Sequence, residues 1–243
     1  MYGFHFLNST SELQEAARAR ATEFQVNDEG LLVWVGAGNQ FTEGETKSLW
    51  GTGTTIGPVV YAWGMPIVEK DAVGNNQVVR MGDGTPDFHW GLSNNVGWRG
   101  LELYTLIDAQ VGGDNYNQTR QRMYQWARHG DVDQAGKPQP LKKPIEYYVA
   151  LYSANDPTDY FVEDASYIKL REVSLSYRLS GQALNAISRF GARGATLSLI
   201  GRNLFTSTDY RGYDPGVGNA LVRLDSFDYP RFRTFSGSLQ ITF

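Results

Sequence analysis

The sequence has 243 residues, with 22 Lys and Arg against 26 Asp and Glu, three His and no Cys, and its net charge is −4. The lack of Cys excludes disulfide scaffolds and thiolate sites in this chain, and the mildly acidic balance argues against nucleic acid as a partner. The longest uninterrupted apolar runs, such as Leu31–Val35, are far shorter than the roughly 20 residues of a transmembrane helix, although the alternating strands of a membrane barrel would escape this test.

The N-terminal part of the chain shows few regular patterns. Met1–His5 has no basic or long apolar region, so the sequence predicts no signal peptide. Thr10–Phe24 predicts a helix with its N-cap among Ser9–Ser11. Leu31–Ala37 and Ile56–Trp63 predict strands, with weak alternation of apolar and polar residues.

A hairpin is predicted in the middle of the chain. Phe88–Trp98 places its large apolar residues at alternate positions, and Leu101–Gln110 repeats this pattern. The two residues between them, Arg99 and Gly100, are typical of a tight hairpin turn.

Three later segments predict long amphipathic strands: Tyr167–Leu179, Ala195–Asn203 and Phe235–Phe243. The nine residues of Phe235–Phe243 match the about 9–11 residues with which a tilted strand crosses a bilayer. Arg231 and Arg233 lie just before the last segment, outside the window in which a charge facing lipid would be unfavourable. The sequence predicts about seven or eight strands in all.

The predicted connections differ greatly in length. Gly112–Ser166 and Thr206–Pro230 are long segments without stable periodicity, whereas the Arg99–Gly100 turn is minimal. Ser180–Gly194 is of moderate length, and a turn of helix is predicted in Gln182–Phe190. Short turns at one end of the strands and long loops at the other are typical of outer-membrane barrels.

No residue pattern indicates catalysis or a cofactor. His5, His89 and His129 are scattered, no serine lies in a nucleophile-elbow motif, and no pattern pairs carboxylates across a cleft. We therefore predict a protein that is not an enzyme and that binds no metal or cofactor.

Alternation alone cannot distinguish a membrane barrel from a soluble sandwich, because both alternate in the same way. The strand length and a terminal aromatic, Phe243, in phase with the apolar positions of the last strand favour the barrel.

Four motifs, in the same order, make the sequence resemble the SusC/RagA family of TonB-linked outer-membrane proteins. They lie in Gly82–Phe88 continuing to Gly91, Phe161–Tyr177, Gly201–Thr206 with Tyr210–Pro215, and Tyr229–Phe243. Lys169 stands where the family more often has Arg, and Gly216 stands where Glu usually follows Asp-Pro.

The resemblance implies an all-β fold: an antiparallel transmembrane β-barrel segment with long extracellular loops, contributing about seven or eight strands to a barrel of about 22. Residues 1–243 would be the C-terminal part of the barrel of a TonB-dependent receptor, with no plug domain, TonB box or signal peptide in this chain. The bacterial outer membrane is the implied location.

The resemblance also implies a function and partners. The protein would import oligosaccharides, or peptides, together with a SusD-like lipoprotein, and would be driven by TonB through the missing N-terminal part. Membrane lipids and the barrel-assembly machinery are further implied partners. The candidate loop residues for contact with substrate or lipoprotein are Trp126, Tyr210, Tyr213 and Asp214. The implied C-terminal signal for barrel assembly is Leu239, Ile241 and Phe243.

Two alternatives remain open from the sequence. A stand-alone small outer-membrane barrel with a structural or adhesive role requires a strand in Met1–Leu7 or Leu31–Ala37 to pair with Phe235–Phe243. A soluble carbohydrate-binding β-sandwich requires folding in buffer without detergent.

Overall fold

The protein is described by a computed structural model, which covers residues 1–38, 49–152, 157–218 and 222–243. The chain forms two compact units. Unit 1 comprises Met1–Asp83, Tyr116–Glu163 and Leu224–Phe227, and unit 2 comprises Gly84–Asn115, Asp164–Arg223 and Asp228–Phe243. Over the ranges described, no helix combines the length and the apolar character needed to cross a membrane.

The strands fall into a long and a short class. The five long strands are β7 (Phe88–Trp98), β8 (Leu101–Val111), β11 (Tyr167–Arg178), β12 (Gly194–Ser207) and β14 (Thr234–Thr242). The short strands are β1 (Tyr2–Phe4), β2 (Phe24–Val26), β3 (Leu32–Trp34), β4 (Gly53–Ile56), β5 (Val59–Ala62), β6 (Val78–Arg80), β9 (Asp114–Asn117), β10 (Val162–Asp164) and β13 (Leu224–Asp225).

The described helices are short. The α-helices are α1 (Glu15–Arg18), α2 (Gln118–Gln125), α3 (Ile145–Leu151) and α4 (Gly181–Ser188), and the 3-10 helices are Thr10–Glu12, Ala21–Glu23, Gly130–Val132, Gln139–Leu141 and Asp159–Phe161.

Unit 2 is built on one antiparallel sheet with the strand order β14-β12-β11-β8-β7. The long strands predicted from alternation are confirmed, with bounds close to those read from the sequence. The hairpin turn is also confirmed, because Arg99 and Gly100 have φ values of 47° and 87°, as a two-residue turn with the twist of type I′ requires.

The sheet has an irregularity near the middle of β11. Arg171 is an extra residue, since Leu170 and Glu172 face consecutive residues of β8. The register between β11 and its other neighbour, β12, shifts at the same place. There Asn203 of β12 adopts a left-handed backbone conformation, with φ 52°. Such bulges re-aim side chains locally and increase the twist of the sheet.

Unit 1 contains the hydrophobic cores. One cluster consists of Leu7, Leu13, Ala17, Phe24, Leu32, Trp34, Ile56, Val59, Tyr61, Trp63 and Ile67. A second, mostly aromatic cluster consists of Phe6, Leu31, Tyr116, Tyr124, Tyr147, Tyr148, Leu151, Tyr152 and Phe161. The small sheets pair β1 with β6, β2 with β3 and β4 with β5, and a three-stranded sheet has the order β10-β9-β13.

The continuous helix predicted over Thr10–Phe24 is wrong. The chain breaks into short helical pieces, because Leu13 takes an extended conformation and is buried in the first core cluster. The predicted N-cap is confirmed at Ser9: its side chain accepts a hydrogen bond from the N–H of Ser11, and Glu12 completes a capping box.

Two other strand predictions were wrong in extent. Ile56–Trp63 is not a single strand, because the chain turns after Ile56, with Gly57 at φ 60°, and β4 and β5 form a hairpin. Leu31–Ala37 supplies only the three-residue β3. The long sheet therefore has five strands in the described residues, rather than the predicted seven or eight.

The segment predicted as an irregular connection over Gly112–Ser166 contains α2 and α3, whose buried tyrosines lie in the second core cluster. The pairing required by a small self-closing barrel is not observed in the described residues. There β1 pairs with β6, β3 pairs with β2, and β14 pairs with β12 alone.

Candidate membrane-facing sheet and loop contacts

One face of the five-stranded sheet is apolar from edge to edge. Residues opposite one another in an antiparallel sheet share a face, so the strand register defines rows across it. One row consists of Trp98, Leu101, Tyr177, Leu197 and Leu239, and the next consists of Val96, Leu103, Leu175, Leu199 and Gly237. The large side chains in these rows are 37% to 67% exposed.

This exposure is unusual for a protein surface in water. Contiguous apolar patches larger than a few hundred Å² normally mark an interface with protein or membrane. The apolar face also has a shallow hollow beside Leu204, whose Cδ2 lies 2.9 Å from where a Cβ on Gly201 would be. Glycine at this position therefore leaves the space that Leu204 occupies.

The opposite face of the sheet is polar. Ser176 and Ser198 lie 2.8 Å apart between their hydroxyl oxygens, and Arg202 donates to Glu172 at 2.8 Å. At the edge next to the hairpin turn, Asn95 donates to Glu102 at 2.6 Å. Each strand thus separates an apolar set of side chains from a polar one.

A charged cluster lies on the polar face near the start of β11. Asp108 accepts two hydrogen bonds from the guanidinium of Arg171, at 2.6 and 2.9 Å, and one from the hydroxyl of Tyr167 at 3.3 Å. The Lys169 ammonium forms an ion pair with Asp214 and lies 4.2 Å from the centre of the Tyr167 ring. The bulge at Arg171 allows this arginine and Asp108 to meet.

The ion pair attaches the loop after β12 to the sheet. Lys169 and Asp214 are both buried, and Asp214 also accepts from the N–H of Gly216 at 2.8 Å. Burial raises the pKa of Asp214, but the hydrogen bonds from Lys169 and Gly216 outweigh it, so the pKa lies below its usual value. The two departures from the family pattern, at residues 169 and 216, are therefore neighbours.

The predicted contact residues of this loop differ in accessibility. Tyr213 is 70% exposed, whereas Tyr210 is 5% exposed and Asp214 is engaged by Lys169. Thr208 holds the base of the loop by donating to the carbonyl of Ser166 at 2.7 Å. Of these candidates, only Tyr213 presents most of its surface to a partner, and a contact role for all of them stays a prediction.

Trp126 lies in unit 1, at the C-terminal end of α2. Its ring stacks on Phe227, with centroids 5.6 Å apart and planes at 19°, and both rings are about half exposed. Phe227 is at φ 58°, a left-handed conformation that is rare for a bulky residue. The sequence analysis missed Phe227, and no local signal could have found it, because the two residues are far apart in the chain.

The predicted C-terminal assembly signal lies at the edge of the sheet. Leu239 and Ile241 are opposite Leu197 and Ala195 of β12, and Phe243 follows β14. All three predicted residues, Leu239, Ile241 and Phe243, are exposed. Their role in assembly stays a prediction.

Unit 1 contains a buried polar network that the sequence analysis missed. Arg120 lies against the rings of Tyr124 and Tyr160 and forms an ion pair with Glu163 at 3.3 Å. Burial raises the pKa of Tyr124. The terminal nitrogens of Arg120 donate to the carbonyl of Tyr160, to Glu163 and to the hydroxyl of Tyr124, whereas its Nε is buried without a partner among the described residues.

A second titratable site in unit 1 is His5. Its Nδ1 is hydrogen-bonded to Asp159, and its Nε2 lies 3.6 Å from Glu12. The hydrogen bond with Asp159 raises the pKa of His5 to about 9. Partial burial opposes this shift, and the negative charges of Asp159 and Glu12 add to it.

Comparison with curated proteins reveals relatives that extend over nearly the whole chain. TonB-dependent receptor P3 of Formosa agariphila is 26% identical over 253 residues, which cover 98% of this chain and 24% of the receptor. TonB-dependent receptor P26 of the same organism is 24% identical over 184 residues, covering 70% of this chain and 18% of the receptor. The chain is homologous to TonB-dependent receptors. No protein-family model matches the sequence.

Solved structures show the same fold. The RagAB peptide importer in its "open-open" state covers 91% of this chain with a TM-score of 0.52 and 18% identity, and its "closed-closed" state covers 90% with a TM-score of 0.51 and 21% identity. These matches use 22% and 24% of the importer chain.

These comparisons confirm the resemblance to TonB-linked outer-membrane proteins and the antiparallel, mostly β fold class. The relatives are named receptors and importers, which agrees with the predicted non-enzymatic role. The chain spans about a quarter or less of the length of the proteins it matches.

Proposed function

We propose that this chain is part of an outer-membrane importer, and that its five-stranded sheet is a segment of the wall of a closed barrel. The apolar face would lie against lipid, and the face with the Asp108–Arg171 pair would line the lumen. The observation that carries this proposal is the exposed apolar face, which continues across all five strands while the reverse face is polar.

The dimensions of the sheet support a membrane location. The long strands contain 9 to 14 residues, enough for tilted strands to cross a hydrocarbon layer about 25 Å thick. In the described residues, β7 and β14 each pair on one side only. Since unpaired strand edges are not tolerated in lipid, further strands of the same barrel would complete both edges.

The connections suggest a sidedness. At one end of the sheet the strands are joined by the Arg99–Gly100 turn and by residues 179–193, and at the other by residues 112–166 and 208–233. In outer-membrane barrels the short turns are periplasmic and the long loops extracellular. We therefore assign the aromatic residues Trp126 and Tyr213 to the extracellular side.

The cargo would be oligosaccharides or peptides, imported with energy from TonB and with a SusD-like lipoprotein as the extracellular partner. The homology to TonB-dependent receptors and the fold of the RagAB peptide importer support this proposal. The stacked Trp126–Phe227 pair and exposed Tyr213 would contact the cargo or the lipoprotein, while Tyr210 and Asp214 would hold the loop that carries Tyr213. Leu239, Ile241 and Phe243 would bind the barrel-assembly machinery.

The orientation of the sheet can be tested with spin labels, because the chain has no native cysteine. Leu197→Cys lies on the apolar face of β12, and Thr196→Cys is its neighbour on the polar face. In the protein reconstituted in lipid vesicles, we expect oxygen to relax the label at 197 and a water-soluble nickel complex to relax the label at 196. Equal access of the nickel complex to both positions would refute the lipid-facing assignment.

The transport function needs a separate test. Cells with and without the gene are given labelled peptides or labelled oligosaccharides, each with and without an uncoupler of the proton-motive force. We expect uptake of one of the two substrate classes to require both the gene and the proton-motive force, and a tagged protein to co-purify with a lipoprotein. Unchanged uptake of both classes in cells lacking the gene would contradict import.

A further inference from the structure

The polar face of the five-stranded sheet contains a hollow of about 360 Å³ at the end where the strands are joined by short turns. Its volume lies within the range of about 300–1,000 Å³ that is common for small-molecule sites. The charged residues of its lining are Arg99, Glu102 and Arg178, and the lining also includes the hydroxyl residues Ser176 and Thr196. We call it the Arg178 hollow.

The backbone brings the two arginines of this hollow together at the hairpin turn. The N–H of Arg178 donates to the carbonyl of Gly100 at 2.8 Å, which attaches the end of β11 to the turn. A Cβ on Gly100 would lie only 3.0 Å from the carbonyl oxygen of Arg178, so this close approach depends on the glycine. The guanidinium of Arg99 lies over the ring of Trp98, with its central carbon 5.2 Å from the ring centre. Both arginines therefore extend from backbone positions that the turn fixes.

Arg178 differs from the other cations of the sheet because it has no acidic partner. The five long strands contain four lysine and arginine residues, and three of these form ion pairs, namely Lys169–Asp214, Arg171–Asp108 and Arg202–Glu172. Among the described residues, neither Arg178 nor Arg99 forms an ion pair. Glu102, the acid of the same lining, instead accepts a hydrogen bond from Asn95 at 2.6 Å. The two guanidinium groups thus keep donors for an anion from outside the chain.

The charge of the lining indicates which anion fits. Two arginines and one glutamate give the hollow a net charge of +1. A carboxylate carries one negative charge and matches the planar fork of a guanidinium with two parallel hydrogen bonds. A phosphate monoester carries a charge of about −1.5 to −2 at pH 7, so part of its charge would remain unbalanced beside Glu102.

We propose that the Arg178 hollow binds a carboxylate group of the cargo, with Arg178 and Arg99 as its cationic partners. The cargo would then be an acidic peptide or an acidic oligosaccharide rather than a neutral one. The assignment of this ligand as cargo rests on the proposed import function, whereas the binding itself needs only the sheet of unit 2.

The proposal can be tested by saturation-transfer NMR on the full chain, purified in an uncharged detergent. The probes form two matched pairs, methyl glucuronide with methyl glucoside and N-acetyl-alanine with N-acetyl-alaninamide. We expect saturable binding of at least one acid, about tenfold tighter than that of its neutral partner, and the acid that binds identifies the carrier of the carboxylate. Equal binding within both pairs, or no saturable binding of either acid, would overturn the proposal.

Three variants localise the binding. Arg178→Gln should weaken it about tenfold, whereas Arg189→Gln should leave it unchanged, because Arg189 is an exposed arginine of the connection 179–193 that does not line the hollow. Glu102→Gln removes the competing negative charge and should strengthen binding about threefold, a gain that a damaged fold cannot produce.

Equal weakening by Arg178→Gln and Arg189→Gln, or weaker binding in Glu102→Gln, would refute the site. Binding is measured here without transport, so a negative result would count against the hollow and not against the importer, whose own test is uptake that requires the gene.

Discussion

A charge placed on the apolar face tests whether that face meets lipid. Leu175 lies on the apolar face of the central strand β11, between Leu103 and Leu199, and is 40% exposed. Ser174 is its neighbour in the same strand and points to the polar face. Leu175→Arg should therefore destabilise the folded protein in a membrane, and Ser174→Arg should be tolerated.

The size of the effect follows from the depth of the residue. β11 has 12 residues, Tyr167–Arg178, and Leu175 lies two to three residues from its midpoint. With about 3.3 Å per residue and a tilt of about 40°, this places Leu175 about 6 Å from mid-height. An exposed Arg costs about 2–4 kcal/mol at the midplane and about 0–1 kcal/mol at the interface, so we expect about 2 kcal/mol, or a factor of about 30 in the folded-to-unfolded ratio.

The assay is urea-dependent folding into lipid vesicles, followed by the compact form on unheated gels. Leu175→Arg should shift folding to lower urea, and Ser174→Arg should stay within about 0.5 kcal/mol of the native protein. If both arginines lower the yield equally, or if Ser174→Arg is the worse variant, the apolar face is not the lipid face. Neither residue belongs to a proposed contact site, so a loss of folding cannot be confused with loss of a partner.

Three further predictions concern packing, an ion pair and pH. Gly201→Ala should lower stability by about 1 kcal/mol or less in the same urea assay, because its Cβ would meet a Leu204 methyl 2.9 Å away, at the free end of a side chain that can rotate away into a poorer rotamer. Gly237→Ala, whose nearest atom is 3.8 Å away, should change stability by less. Lys169→Met leaves the buried carboxylate of Asp214 without its ion-pair partner and should destabilise the loop by about 3–5 kcal/mol. The double variant with Asp214→Leu should recover most of this stability. Limited proteolysis near residue 213 measures both variants, and equal cleavage of the single and double variants would contradict the pairing. His5, whose pKa the hydrogen bond with its carboxylate partner raises to about 9, stabilises the folded state fully below its unfolded pKa of about 6.5. That contribution should be lost as the pH rises from about 6.5 to 9. The loss should be about 1–2 kcal/mol, because the site is partly exposed and solvent screens its charges. Hydrogen exchange in unit 1 should measure this loss in the native protein and should show no such loss in His5→Gln.

The long strands were predictable because their apolar residues alternate over many positions. For β14 the sequence indicated Phe235–Phe243, and the structure has Thr234–Thr242. Pairing with β12 places Leu239 and Ile241 on the same face as Leu197 and Ala195, with Ile200 as an exception on the polar face, so each strand supports the assignment of the other. The prediction of one strand over Ile56–Trp63 was wrong because Gly57 and Pro58, a dipeptide typical of turns, reverse the chain inside the segment.

The sequence identifies candidate contact residues by their type and their position in long loops, but it does not reveal whether each side chain is exposed or buried. Trp126 and Tyr213 are exposed aromatics, as expected for contact residues. Asp214 instead is buried and forms an ion pair with Lys169, 45 residues away in the chain. Nothing local to Asp214 reveals this partner, because the pair forms only when the loop lies on the polar face of β11. For the same reason the exposed pair of Trp126 and Phe227 could not be foreseen.

The helices of unit 1 illustrate a different limit. Tyr147, Tyr148 and Leu151 form one buried stripe of α3 at the spacing of an amphipathic helix, but the apolar residues Ile145 and Val149 outside this stripe are exposed. The tyrosine hydroxyls are satisfied by partners elsewhere, such as Glu29, which accepts from Tyr147 at 2.6 Å. Residue type alone therefore does not mark the buried side of α3, because apolar residues also lie on its exposed side and tyrosines can be buried wherever their hydroxyls find a partner.

The mean hydropathy of the chain, −0.39, hides two opposite uses of apolar side chains. In unit 1 most of the large aromatics are buried in two cores, with Trp126 and Phe227 among the exceptions. In the sheet of unit 2 the corresponding residues, such as Trp98 and Leu239, point outward, and the polar side chains take the other face. The mean hydropathy is ordinary because the buried apolar residues of unit 1 and the exposed apolar residues of unit 2 are of the same types. The surroundings of each unit can therefore be inferred only from which of its side chains are buried. The proposal that the sheet of unit 2 faces lipid on its apolar side depends on this contrast with the buried cores of unit 1.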